Sequence, residues 1–194
     1  DPEVDMNAEQ LITYWKYPFE QTTAQTDDGY VLTLFRIKHG RTGGSSSLGP
    51  PFLLGHGLGA SAEHWLMNPP ASNPAFILAD AGFDLWLVNF RGSKYSKTHV
   101  KLKPESSQFW DWSWDQISEF DLPAAIDTVR RMTGFKQVYY VGHSQATTVM
   151  FAKLARQPEF ASKIARFFAL APITTSKYMR GAMTGLYFVR PFLQ

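Results

Sequence analysis

The sequence predicts an α/β fold with a mostly parallel sheet flanked by helices, and three observations lead to it. From residue 51 onward, strand-like segments alternate with helical ones, which is typical of right-handed βαβ units. The later strands are continuous apolar runs, as expected where helices cover both faces of a sheet. An Asp-Gly turn between two β-rich runs, at residues 28–29, predicts an antiparallel hairpin at the edge of the sheet.

The composition fits one globular domain and excludes some classes of function. The chain has 194 residues, of which 44% are hydrophobic and 19% charged, enough for one sizeable core. The formal net charge is +2 without a long run of like charges, so nucleic-acid binding has no electrostatic basis. The absence of cysteine excludes disulfides and cysteine metal sites. No apolar run reaches the roughly 18 residues of a membrane-spanning helix.

The first third of the chain predicts the hairpin and a loop. Residues 21–26 and 30–38 are its strands, because they flank the turn Asp27-Asp28-Gly29 and the second strand alternates moderately. Residues 40–47 are rich in glycine and serine and predict a flexible surface loop.

The alternation of strands and helices begins after this loop. Residues 51–54 predict a short strand that leads into the glycine-rich segment 55–59. Residues 75–81 predict a helix that Gly82 caps, and residues 83–89 predict the next strand.

The second half of the chain repeats the pattern, with a helix at 120–132, a strand at 137–141, a helix at 145–156 and a strand at 165–170. Pro123 is tolerated because it lies in the first turn of its helix. The last residues, 173–194, are apolar and aromatic and predict no particular element.

The strongest chemical signal is the segment Gly142-His143-Ser144-Gln145-Ala146 between a strand and a helix. A nucleophile elbow requires this context. Its tight turn needs small flanking residues and lifts the Ser144 hydroxyl off the end of the strand. The helix N-terminus then places backbone N–H groups near developing negative charge. Ser144 is therefore the predicted nucleophile, and the alternative is a serine in a tight turn without catalysis.

A second signal is His56-Gly57-Leu58, which follows the strand at 51–54. In α/β-hydrolases this loop supplies one N–H group of the oxyanion hole, and the residue after the nucleophile supplies the other. The backbone N–H groups of Leu58 and Gln145 are the predicted donors. The alternative is a glycine-rich turn in which His56 only makes local hydrogen bonds.

Other polar and aromatic residues receive structural predictions. Arg91, in the segment Asn89–Gly92, is expected to make hydrogen bonds that fix its loop. The tryptophans of the segment 110–114 are expected to pack in the core and loops and not to form a lipid platform. The remaining histidines before the elbow are expected on the surface or in loops, without a functional role: His39, His64 and His99.

These stretches resemble the acid lipase family, which includes gastric and lysosomal lipases. The matching segments cover almost the whole chain in order: Pro2–Val4, Met6-Asn7, Tyr14-Trp15, Tyr17-Pro18, Asp28–Tyr30, His56–Leu58, Phe76–Phe83, Asn89–Gly92, Phe120–Ala124, Gln137–Thr148 and Phe167–Pro172. Three positions depart from the family pattern. Gly55 replaces a usual glutamine, Lys16 replaces a usual glycine, and Ala146 replaces the second glycine of the elbow.

The resemblance implies an α/β-hydrolase core over residues 1–172 and a cap that begins with residues 173–194. It implies hydrolysis of neutral lipid esters, such as triacylglycerols or cholesteryl esters, by acyl-enzyme chemistry on Ser144. The implied partners are the lipid ester and, transiently, a lipid surface, in a secreted or lysosomal setting. Acyl transfer by a serine needs neither a metal nor a cofactor.

The chain lacks residues that complete the family's triad. In this fold the order is Ser, then Asp or Glu, then His, but no aspartate or histidine follows Ser144. Glu159 is the only later acid, and it comes too soon after the elbow. His143 is adjacent to Ser144, but its side chain is expected to point away. Because losing the histidine of such a triad costs roughly a millionfold in rate, the chain alone is predicted to be inactive.

Three interpretations remain open. The sequence is a fragment of a lipase whose acid, base and most of the cap lie downstream or in another chain. Alternatively, it is a short homologue without catalysis that binds lipid or another partner. A third interpretation is an esterase or thioesterase on the same fold. We favour the fragment, because a short chain would leave a sheet edge and an apolar tail uncovered.

Overall fold

A computed structural model describes residues 2–43 and 48–175 of the chain. Its strands are β1 (Glu20–Gln25), β2 (Tyr30–Ile37), β3 (Pro51–Gly55), β4 (Asp84–Asn89), β5 (Thr98–His99), β6 (Val138–His143) and β7 (Ile164–Leu170). Its α-helices are α1 (Ala8–Tyr14), α2 (Pro74–Asp80), α3 (Trp114–Gln116), α4 (Leu122–Thr133) and α5 (Gln145–Arg156). A π-helical turn, Ile117–Asp121, joins α3 to α4.

The strands form one mixed sheet in the order β1-β2-β4-β3-β6-β7, and β5 pairs with the start of β2. The pairs β1–β2 and β2–β4 are antiparallel, whereas β3 pairs in parallel with β4 and β6, and β6 with β7. The predicted α/β architecture is therefore confirmed, including the hairpin at one edge. The nucleophile candidate follows β6, which lies beside the central β3.

Two apolar clusters cover the two faces of this sheet. On one face, α1 and α2 pack against side chains such as Phe35, Leu54 and Leu87. On the other, α4 and α5 pack against side chains such as Leu53 and Trp86. Every residue of β3 and β4 is buried, as their continuous apolar runs predict.

Strand β7 differs from this prediction. Phe168 and Leu170 are 41% and 43% exposed. The physical reason is position: β7 is the last strand of the sheet in the described ranges, and it pairs there with β6 only. The expectation that helices cover both faces of the later strands is wrong for β7.

The first helix is absent from the sequence prediction although it has a recognisable start. The Asn7 side chain accepts from the Gln10 N–H at 2.9 Å, and the Gln10 side chain accepts from the Asn7 N–H at 2.9 Å. This reciprocal pair is a capping box, and the spacing Asn-x-x-Gln is its sequence signal.

The same helix ends in a Schellman motif that explains one departure from the family pattern. The Lys16 N–H donates to the Thr13 carbonyl and the Tyr17 N–H to the Ile12 carbonyl, at 3.0 and 3.1 Å. Lys16 has a φ of 66°. This left-handed position favours glycine, which is also the residue that the resemblance to the acid lipases leads us to expect there.

The helix predicted at 120–132 starts earlier and passes through the π-helical turn. Ser113 caps α3 with Gln116 as its capping-box partner. The Leu122 N–H then donates to the Ile117 carbonyl five residues back. Pro123 has no N–H to donate and would interrupt a regular α-helix. The π-helical turn lies directly before this proline.

None of the helices in the described ranges is long and apolar enough to cross a bilayer. Residues 176–194 lie outside the described residues, and most of the predicted cap segment lies there with them.

Candidate active site

Ser144 lies in the turn between β6 and α5 with an unusual backbone. Its φ is 54° and its ψ is −117°, a region that costs a non-glycine residue about 1–3 kcal/mol. Hydrogen bonds hold this geometry on both sides. The Ser144 N–H donates to the Leu170 carbonyl at 3.0 Å. The Ser144 carbonyl accepts from the N–H and the hydroxyl of Thr147, at 2.9 and 2.6 Å.

The residues around this turn have no room for larger side chains. A Cβ atom at Gly142 would lie 3.0 Å from the carbonyl carbon and oxygen of Ala146. The methyl group of Ala146 is accommodated because it faces Gly55, where a Cβ atom would lie 3.1 Å from it. Two of the departures from the family pattern, Gly55 and Ala146, thus meet in space.

The loop after β3 lies against the same turn. A Cβ atom at Gly57 would lie 3.2 Å from the Cβ of Ser144 and 3.2 Å from Nδ1 of His143. The Gly57 carbonyl accepts from the Ala60 N–H at 3.2 Å, and Gly59 has a φ of 70°. A turn of this kind requires glycine at its third position.

The structure brings the two predicted oxyanion donors to the neighbourhood of Ser144. Leu58 belongs to the loop that touches Ser144, and Gln145 is the first residue of α5. Neither backbone N–H donates a hydrogen bond to another described residue. The first N–H groups of a helix have no partner within it and carry partial positive charge, which favours negative charge near the Gln145 N–H.

No histidine in the described ranges hydrogen-bonds the Ser144 hydroxyl. The His143 ring stacks on the His64 ring with 4.6 Å between centroids, and its Nδ1 is buried without a partner among the described residues. Burial and the neighbouring His143 lower the pKa of His64. Among the others, His99 lies in β5 and contacts the Asp28 carbonyl through Nε2.

Arg91 has a structural place, as its sequence position predicts. Its guanidinium is buried between Asp28 and Asp121, each with a closest N–O distance of 2.6 Å. It thereby ties the hairpin turn and the π-helical turn to the loop after β4. Complete burial raises the pKa of Asp121 to about 6, and the charge of Arg91 opposes that rise. The sequence predicts Asp28 only as part of the hairpin turn, and it does not predict that Asp28 or Asp121 pairs with Arg91.

The tryptophans after β5 pack against the same loop. Gly92 has a φ of 75°, and a Cβ atom there would lie 2.5 Å from the Trp112 ring and 3.0 Å from the Trp110 ring. Both tryptophans pack against the larger core cluster, whereas Trp114 is 38% exposed.

Asn89 also supports the site, although the sequence analysis gives it no role of its own. Its side chain accepts from the Ala62 N–H at 2.9 Å and donates to the Thr33 carbonyl at 3.1 Å. It therefore anchors the far end of the loop that follows β3. Its position at the end of a buried strand is the signal that could have identified it.

A cavity of about 830 Å³ opens beside the loop and the start of α5. Apolar side chains from several segments line part of its wall: Val4, Met6, Leu58, Met67 and Trp112. The ion pair Lys94–Glu63, 2.7 Å, also lies there. The described ranges contain no group of three or more side chains placed to bind a metal ion.

Comparisons with known proteins identify the fold family of this chain. Residues 50–185 match the model of the alpha/beta hydrolase fold, and residues 8–69 match a partial alpha/beta-hydrolase lipase region. The chain is 47% identical to mouse lipase member K over 188 residues, which are 96% of this chain and 47% of that protein. It is 46% identical to human gastric triacylglycerol lipase over 189 residues, 97% of this chain and 48% of that protein.

Solved structures show the same fold at low identity. An esterase of Pyrococcus furiosus matches with a TM-score of 0.60 and 18% identity, over 94% of this chain and 66% of its own. An epoxide hydrolase of Vigna radiata matches with a TM-score of 0.55 and 20% identity, over 88% of this chain and 47% of its own.

The chain spans about half the length of the curated lipases that it matches. The expected resemblance to gastric-type acid lipases is confirmed over almost all of its residues. This chain belongs to the α/β-hydrolase fold family, and within that family it is similar to the acid lipases.

Proposed function

We propose that this chain is the nucleophile-bearing part of a lipase-like serine ester hydrolase acting on neutral lipid esters. One observation carries the proposal: Ser144 has a strained backbone beside two backbone N–H groups, of Leu58 and Gln145, that have no partner among the described residues. Strain of this kind persists at functional sites because the surrounding structure enforces it.

The proposed reaction is acyl transfer in two steps. The Ser144 Oγ attacks the ester carbonyl and gives its proton to a base, and the carbonyl oxygen becomes an oxyanion held by the N–H groups of Leu58 and Gln145. The C–O bond to the alcohol then breaks, and the alcohol leaves with the proton. Water hydrolyses the acyl-enzyme by the same route and regenerates the serine.

The base and its acid partner are the components that this chain does not supply. No aspartate or histidine follows Ser144, and His143 stacks on His64 instead of bonding the serine. The matched lipases are about twice as long. We therefore infer that a segment outside this sequence completes the triad and that the 194-residue chain alone is inactive.

The cavity and the relatives support the proposed substrate class. Val4, Leu58 and Met67 line the cavity and are 75%, 65% and 73% exposed, so they offer apolar surface to an acyl chain or to a lipid surface. Similarity to a gastric triacylglycerol lipase supports triacylglycerol as the first substrate to test. It also supports a secreted or lysosomal setting for the whole protein.

Fluorophosphonate labelling read by intact mass tests this proposal, with Ser144→Ala as control. We expect slow or no labelling of the 194-residue chain, and rapid labelling of Ser144 with tributyrin turnover in the protein at its natural length. Rapid labelling of the short chain would refute its inactivity. A natural-length protein that neither labels nor turns over ester would refute the hydrolase and favour a lipid-binding protein.

A further inference from the structure

His56 makes two hydrogen bonds that connect the ends of two neighbouring strands. It follows β3 directly and is 5% exposed. Its Nδ1 lies 2.9 Å from the Gly57 carbonyl oxygen. Its Nε2 lies 3.1 Å from the backbone nitrogen of Phe90, the residue after β4. The ring also packs against Phe90, with 5.2 Å between centroids.

The partners define the tautomer of this histidine. The Phe90 N–H can only donate, so Nε2 must be an unprotonated acceptor. The Gly57 carbonyl can only accept, so Nδ1 must carry the proton. The ring is therefore neutral in this arrangement. Burial, assisted by the charge of His64, lowers the pKa of His56 to about 4, which keeps it neutral in weakly acidic solution.

The bond to Gly57 controls the direction of the next amide. The Gly57 carbonyl and the Leu58 N–H belong to one planar trans peptide group, so they point in opposite directions. Two donors hold that carbonyl, Nδ1 of His56 at 2.9 Å and the Ala60 N–H at 3.2 Å. Fixing the oxygen therefore fixes where the Leu58 N–H points.

The far end of the loop is anchored to the same strand. The Asn89 side chain, at the end of β4, accepts from the Ala62 N–H at 2.9 Å. Residues at the end of β4 therefore bind the loop at both His56 and Ala62. Between these two anchors, the Gly57–Leu58 peptide could still rotate, and the His56 bond to the Gly57 carbonyl restricts that rotation.

We propose that His56 is a positioning residue, held as the neutral Nδ1–H tautomer, whose bond to the Gly57 carbonyl aims the Leu58 N–H at the developing oxyanion. The inference rests on the proposed function, since it gives His56 a part in ester hydrolysis that acts through the Leu58 N–H.

Two substitutions distinguish the hydrogen bond made by Nδ1 from the one made by Nε2. His56→Asn places an amide donor where Nδ1 lies and keeps the bond to Gly57. His56→Gln places a carbonyl where Nε2 lies and keeps the bond to Phe90 but loses the one to Gly57. His39 provides the matched control, because its Nδ1 lies 2.8 Å from the carbonyl of its own following glycine, Gly40, far from the elbow in the sequence.

The first readout is hydrolysis of p-nitrophenyl butyrate by the protein at its natural length. We expect His56→Gln to lower kcat about 100- to 1000-fold with little change in KM, as losing an oxyanion donor does. His56→Asn should lower kcat less than about tenfold, and His39→Asn and His39→Gln should match the wild type. Equal loss in both His56 variants, or no loss in either, would overturn the positioning role.

The second readout is NMR of the 194-residue chain, which needs no activity. We expect a protonated Nδ1 and an unprotonated Nε2 on His56 that do not titrate between about pH 5 and 8, given its buried environment. The Leu58 amide signal should move in His56→Gln and stay nearly in place in His56→Asn. An Nε2–H tautomer, or a Leu58 signal insensitive to both variants, would refute the inference even if no ester is hydrolysed. Conversely, absent turnover with the expected NMR result would refute only the proposed function.

Discussion

At the scale of single residues, three non-glycine residues of the described ranges have a positive φ, namely Lys16, Ser144 and Ala171, and the first two have different causes. Lys16 closes helix α1 in a Schellman motif with a φ of 66°. Ser144 has a φ of 54° and joins a strand to a helix. Lys16 has only the role of ending the helix, and glycine adopts that left-handed conformation with less strain. Ser144 exposes a hydroxyl that glycine cannot replace.

Glycine at either position should therefore relieve backbone strain and stabilise the folded chain. Only Ser144→Gly also removes the hydroxyl that the proposed reaction needs. Ser144→Gly is expected to be about 1 kcal/mol more stable than Ser144→Ala, because relief of backbone strain exceeds the entropy glycine adds to the unfolded chain. Lys16→Gly should be similarly more stable than Lys16→Ala. Urea unfolding measures both differences. Ser144→Ala at least as stable as Ser144→Gly would mean that the elbow is not strained.

At the scale of elements, strand β3 contacts helix α5 at two positions, 55 and 146, that depart from the pattern expected of the acid lipases. Gly55 lies at the end of β3, and a Cβ atom there would lie 2.5 Å from the Tyr140 hydroxyl and 3.1 Å from the Ala146 methyl. Tyr140 is fully buried and cannot move away at low cost. A residue larger than glycine at position 55 would compete with the Ala146 methyl group and the Tyr140 hydroxyl for the same space.

A double-mutant cycle between these elements should reveal the coupling. Gly55→Ala is expected to destabilise the chain by about 1–3 kcal/mol, because it overpacks a filled site. In the background of Ala146→Gly the same change should cost less, with a coupling energy of at least about 0.5 kcal/mol.

Ala152→Gly provides the control for this cycle, because it removes a methyl group from the same helix six residues further on. Gly55→Ala and Ala152→Gly should add without coupling. Chemical unfolding measures both cycles. If the effects of Gly55→Ala and Ala146→Gly were also additive, residues 55 and 146 would not be coupled.

At the scale of the whole molecule, the sheet ends in β1 of the hairpin at one edge and, within the described ranges, in β7 at the other. Within the described ranges β7 pairs with β6 only, and its Phe168 and Leu170 side chains are 41% and 43% exposed. Strand edges with exposed apolar residues favour pairing with another chain. This open edge agrees with the proposal that further residues of the whole protein cover it.

The isolated 194-residue chain should therefore self-associate through β7. We expect sedimentation velocity to show mass that increases with concentration, and Phe168→Lys to shift the chain towards monomer, because a charge on an edge strand opposes pairing. Met132→Lys is the matched control, since Met132 is 40% exposed but lies on α4. A monomer at every concentration, or equal effects of both lysines, would contradict this role of β7.

Much of the fold and of the candidate site could be predicted from local sequence. The alternating segments, the Asp-Gly turn and Gly142–Ala146 predict the sheet, the hairpin and the position of Ser144. The start of α1 is also encoded locally, in the capping pair Asn7 and Gln10. The π-helical turn ahead of Pro123 was not predicted, because irregular hydrogen bonding has no simple periodic pattern.

The sequence by itself determined which residues form the elbow and that no aspartate or histidine follows it, because strand, turn and helix are adjacent in the chain and residue types can be counted. Only the tertiary structure decided that Gly57 lies against Ser144, that His56 bonds Gly57 and Phe90, and that Gly55 faces Ala146. Most of these contacts join residues many positions apart, and their geometry depends on how β3, β4 and β6 align in the sheet.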